Sequence, residues 1–124
     1  MLLDILSDLL KIDDILFIIK NNVAVSEIRS NSLHIKQKEK WITIGDNDGP
    51  AHMHINSELI RTAEFIEEER TDRTSFSVQF FDQNGKRILA AFFTKMYDQS
   101  NNLNSERKKI YKKLCQKYGS KTQF

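Results

Sequence analysis

Leu2, Ile5, Leu6 and Leu9 recur at helical spacing with Asp4 and Asp8 set against them, so the first eleven residues predict an amphipathic helix that needs something to pack on. From Ile15 the pattern changes. Ile15–Lys20 and Val23–Ile28 are rich in β-branched residues and flank Asn21-Asn22, and asparagine tolerates the left-handed backbone of a two-residue hairpin turn. A continuous helix through Ile5, Leu9, Ile12, Leu16 and Ile19 fits the same spacing, because short apolar runs do not settle their own period.

Short strand candidates follow at Leu33–Gln37 and Trp41–Ile44, and Asp46-Asn47-Asp48-Gly49-Pro50 marks a turn before Ala51–Ile55. Ser57–Ile60 suits one helical turn and Thr62–Arg70 has strand character. The strongest local signal is Asn84-Gly85 inside Ser75–Tyr97. Set at the centre of a type I′ turn, it puts Gln83 opposite Lys86, Asp82 opposite Arg87 and Phe81 beside Ile88. Further out it pairs Phe80 with Leu89, Val78 with Ala91, Ser77 with Phe92 and Phe76 with Phe93. Much of both faces of this ribbon is then apolar, which calls for cover on both sides from a helix or a second subunit.

Beyond the polar spacer Asp98–Asn104, Ser105 is placed to cap a helix whose Ile110, Tyr111, Leu114 and Tyr118 form a narrow apolar stripe ending at Gly119. The order helix, strands, helix predicts an α+β fold: an antiparallel β-sheet built from hairpins, with N-terminal and C-terminal helices.

At 124 residues and 40% hydrophobic content, with one Pro and four Gly, the chain suits a single folded domain over residues 1–124. Cys115 is the only cysteine and has no partner for a disulfide, and no secretory leader is recognisable, so a reducing cytoplasm is the expected location. The most apolar run, Ile12–Ile19, is interrupted by Asp13 and Asp14 and is shorter than the roughly 20 residues of a membrane helix. A net charge of +2 is too small to imply a nucleic-acid partner, although Ser105–Lys121 is locally basic, with Glu106 its only acid.

His52 and His54 are the pair with most chemical potential, since residues i and i+2 of a strand share a face and neutral imidazole ligates zinc or haem iron. Surface or hydrogen-bonded histidines satisfy the same pattern. A zinc site needs three or four ligands, and the remaining candidates are only His34 and the distant Cys115. Asp46–Gly49 starts like a calcium loop, but Ser57 stands where the pattern requires Glu, so a tight turn explains it better. No phosphate-binding Gly-rich loop, Gly-x-Ser-x-Gly elbow or Ser/His/Asp set is identifiable, so no catalytic residue is assigned. Tyr111 and Tyr118 could stack on bases beside the lysines; their spacing equally fits a docking face with the lysines in solvent.

Leu16-Phe17-Ile18-Ile19 followed by Val25-Ser26-Glu27, then Phe65-Ile66-Glu67-Glu68-Glu69-Arg70, then Ser75–Phe93 with Phe80-Phe81 and Asn84-Gly85, together resemble the cytoplasmic haem-utilisation proteins of the HutX/ChuX type. Their fold is also repeated in the two halves of HemS-type proteins, and the resemblance covers most of the chain. It implies a homodimer with extended antiparallel sheets that holds haem in a cleft, as carrier, store or, in two-repeat relatives, participant in haem breakdown. His54 falls near a family histidine after the central turn and His34 near a second histidine-containing segment. With the strand-face pair added, the candidate iron ligands are His34, His52 and His54, with Trp41 and Met53 as candidate neighbours.

The leading expectation is an intracellular haem-binding or haem-handling protein. Two alternatives stand beside it: a non-catalytic module binding nucleic acid or an acidic partner through Arg107, Lys108, Lys112 and Lys113, and an interaction protein that keeps the fold without the haem site.

Overall fold

A computed structural model describes residues 1–124. Helix α1 (Leu2–Leu10) is followed by β1 (Ile15–Lys20), β2 (Val25–Arg29), β3 (Ile35–Lys38), β4 (Trp41–Gly45) and β5 (His52–Asn56). A 3-10 turn (Ser57–Leu59) leads to β6 (Thr62–Glu69), β7 (Thr74–Phe81), β8 (Arg87–Phe93), α2 (Ser105–Tyr118) and β9 (Lys121–Gln123). The fold is α+β as the residue pattern predicts, and the competing continuous helix through Leu16 and Ile19 is not formed. The strands divide into a six-stranded antiparallel sheet, ordered β2-β1-β8-β7-β6-β9, and a three-stranded sheet, β3-β4-β5.

Both hairpin turns differ in detail from the expectation. Lys20 faces Val25, so the first turn holds four residues rather than two. The Asn21 carboxamide oxygen sets it by accepting from the N–H groups of Val23 and Ala24. At the second turn, Asp82 and Gly85 close the loop and the Asp82 carboxylate accepts from the N–H groups of Asn84 and Lys86. Gly85 alone has positive φ there, at +78°, so the turn is type I followed by a left-handed glycine and not type I′. The predicted pairs Ser77 with Phe92, Val78 with Ala91 and Phe80 with Leu89 are present. Phe81, however, faces Arg87, which leaves Ile88 as an extra residue in a bulge.

Alternation sorts the large sheet into two faces. Ile15, Phe17, Phe76, Val78, Phe80, Leu89 and Phe93 share one face and one core with α1, with Tyr111 of α2 and with Ile42, Ile44, Met53 and Ile55 of the small sheet. Fully burying each such side chain contributes about 1.5–3 kcal/mol. Tyr111, rather than the exposed Ile110, is the anchor of α2: its ring meets those of Phe65, Phe76 and Phe93 edge-on. The α2 cap is Asn104, one residue before the expected Ser105, accepting from the Arg107 N–H.

Both helices and the small sheet thus lie on the same side of the large sheet. On its other face Leu16, Ile18, Ile66, Phe81 and Phe92 are half-buried and stand outside the core, around the smaller, buried Ser77 and Ala90. The helix foreseen as one possible cover for this face covers the opposite one.

Candidate functional site

The β1–β8 ladder stops at Ile18 and Ala90, and beyond it lies the Ile88 bulge. A cavity of about 310 Å³ opens at this end of the covered face, between β5 with its 3-10 turn and the β7–β8 hairpin. Ile19, Ile55, Leu59, Ile60, Ile88 and Leu89 give it apolar walls, while His54, Asn56, Arg61 and Asp82–Asn84 supply polar groups. A mostly apolar concavity with few converging polar groups is the form expected of a small-molecule site.

The chemistry at its margin comes from the small sheet. His54 on β5 faces Thr43 on β4, and His54 Nδ1 lies 2.9 Å from Thr43 Oγ1. When Nδ1–H donates to that hydroxyl, Nε2 carries the free lone pair, the tautomer that ligates a metal. The His52 ring stands edge-on to His54 with centroids 5.3 Å apart. The two rings share a strand face, as their spacing predicts. Gly45, opposite His52, makes the end of this hairpin possible: at φ +86° a Cβ would come within 2.3 Å of the Ala51 carbonyl oxygen.

The remaining candidates are distributed differently. Trp41 is exposed on β4, two residues before Thr43 and therefore on the His54 side of the sheet. Met53 points the other way into the core, so it is not a neighbour of the imidazoles on their face. His34 lies one residue before β3, exposed, and its carbonyl accepts from the Gly45 N–H at 2.7 Å. Its place is at the far end of the small sheet, and it does not line the cavity. Arg61, Leu59 and Ile88 were not among the expected site residues; the exposed, apolar Leu59 was their most legible sign.

No group of three or more His, Cys, Asp or Glu side chains is arranged to hold a metal ion by itself. No helix is long and apolar enough to cross a membrane. On α2, Lys112 pairs with Glu67, Lys117 with Asp8 and Lys109 with Glu106. Arg107 lies over the Phe93 ring and donates to the Asp14 carbonyl. Much of the helix's basic charge is therefore directed at the protein's own surface.

A family model carrying the bare description "-like" matches residues 3–119. No curated protein sequence matches the chain. Among solved structures, the chain is similar to the heme binding protein ChuX at a TM-score of 0.76 and 16% identity, over 92% of this chain and 70% of that one. It is similar to holo-PhuS, a heme-binding protein from Pseudomonas aeruginosa, at a TM-score of 0.71 and 14% identity, over 89% of this chain and 31% of that one. It is also similar to ChuS, an E. coli heme oxygenase, at a TM-score of 0.70 and 16% identity, over 90% of this chain and 34% of that one. The chain thus spans about a third of the PhuS and ChuS chains.

Proposed function

The chain belongs to the ChuX-like haem-utilisation family, and from that membership we propose that it binds haem inside the cell as a carrier or store. The observation that carries this reading is His54 at the margin of an apolar cavity, with its Nδ1 engaged by Thr43 and its Nε2 free to ligate. Bound there, haem would supply an iron centre that takes an imidazole ligand. The chain's own part is to offer that nitrogen in a fixed tautomer and to line the ring with Ile19, Leu59 and Ile88. His52 and Trp41, on the same side of the small sheet, are secondary contacts, and no residue is assigned to haem breakdown.

The protein acts as a homodimer through the uncovered face of the large sheet, where Leu16, Ile18, Ile66, Phe81 and Phe92 form a half-buried apolar surface. The alternative of a nucleic-acid module has less support, given the ion pairs that Lys109, Lys112 and Lys117 already make.

Titration of the purified chain with haem tests the reading. A saturable Soret shift that is lost or displaced in His54→Ala supports it. Absence of any shift in the wild type rules out haem binding, and an unchanged spectrum in His54→Ala removes the proposed ligand.

A further inference from the structure

The apolar cavity has a second, differently built neighbour. Where β1 and β8 cease to pair, another hollow of about 390 Å³ opens between the two hairpin turns, and it shares Ile19 and Ile88 with the first. Its charged lining is all of one sign: Lys20 from the end of β1, with Lys86 and Arg87 from the start of β8. None of these three cations, nor Arg61 in the first cavity, forms an ion pair within the protein. Asp82, in the same turn as Lys86, is committed to the backbone of that turn. The two hollows therefore adjoin at Ile19 and Ile88, the one on the His54 side largely apolar and the one on the Lys20 side cationic.

Resting on the haem-binding reading, we infer that Lys20, Lys86 and Arg87 form a carboxylate-binding subsite, which takes the two propionates of the porphyrin while its apolar edge enters the first cavity. Three reasons support this orientation. An apolar macrocycle with two carboxylates on one edge has the same division of character as the two adjoining hollows. Cations without partners lose no existing ion pair when they meet a carboxylate, and bidentate contact from Arg87 would fix direction as well as supply attraction. The Ile88 bulge gives the arrangement a structural origin, because it ends regular pairing beside both hollows and brings the charged Arg87 next to an apolar wall.

The experiment compares haem with haem dimethyl ester, which differs only in its carboxylates, on the full chain and on two variants. Lys20→Glu/Lys86→Glu reverses two exposed charges, and Lys20→Gln/Lys86→Gln/Arg87→Gln neutralises all three with little demand on packing. Circular dichroism confirms that each is folded. The subsite predicts that wild type binds haem at least tenfold more tightly than the ester, that both variants lose this preference, and that ester affinity is unchanged. Equal affinity of wild type and both variants for haem, with the Soret shift intact, overturns the subsite and leaves the haem-binding reading standing. Failure of wild type to bind either porphyrin overturns both.

Discussion

The Tyr111 phenol donates to the main-chain carbonyl of Ser77 at 2.9 Å, joining the centre of α2 to β7, a central strand of the large sheet. Burial pushes this phenol well above its usual pKa, and the Glu67 carboxylate adds to the effect, so the donor proton stays in place at physiological pH. The contact fixes the side of the sheet on which α2 lies. On the opposite side Leu16, Ile18, Ile66, Phe81 and Phe92 alternate with the core set on the same strands and are left without cover.

Tyr111→Phe should cost about 1 kcal/mol, the value of one hydrogen bond, because its ring contacts survive. Tyr111→Ala should cost about 3–5 kcal/mol through the cavity left among Phe65, Phe76 and Phe93. Urea denaturation measures both. Equal, small losses would show that α2 is anchored elsewhere.

The uncovered face yields a prediction about assembly. Ile18→Lys/Phe92→Lys places two charges on that face without entering the core, so the variant should run at half the wild-type mass by light scattering while remaining folded. A wild type that is itself monomeric at tens of micromolar rules out the proposed dimer.

Much of this arrangement could be read from residue order, and the misses have local causes. From Phe80 outward the β7–β8 register follows from alternation, since a one-residue slip would turn Phe76, Val78 and Phe80 away from the core. At the tip, the Asp82 carboxylate organises the backbone itself, and that choice of turn moves Ile88 into a bulge. Strand β9 was not foreseen: three residues after Gly119 are too few for a periodic signal, and their partner β6 is far away in sequence. The same limit hid the cavity. Its walls come from Ile19, from residues 54–61 and from residues 82–89, which only tertiary structure brings together. His54 was legible because strand alternation places it with His52; that Thr43 would face it depended on the β4–β5 register.

The contact between the helices should be visible in acid. Asp8 is 16% exposed; burial acts to raise its carboxyl pKa, but hydrogen bonds from Lys117 and Tyr118 outweigh that and hold it below the usual value. A carboxyl depressed in the folded state contributes stability above its unfolded pKa and loses that contribution as pH falls through the folded value, a window below about pH 4. Asp8→Asn should therefore lower stability by about 1 kcal/mol at pH 7, after allowance for screening, and the difference should shrink towards pH 2. Melting curves across that range measure it, and a gap independent of pH would assign the loss to packing instead.

Thr43 tests how the proposed ligand His54 is held. Its hydroxyl is the side-chain partner of His54 Nδ1, and Thr43 is itself 7% exposed, so removing the hydroxyl leaves the imidazole free to turn or change tautomer. Thr43→Val keeps the β-branched shape of the side chain and should leave the melting temperature within a few degrees. Its haem affinity should fall by about tenfold, the low end of what loss of an orienting hydrogen bond costs a metal site. Thr43→Ser restores an oxygen at the same position and should recover most of that affinity. If valine and serine variants both match wild type in affinity, Thr43 has no positioning role and His54 is held, or replaced, by another group.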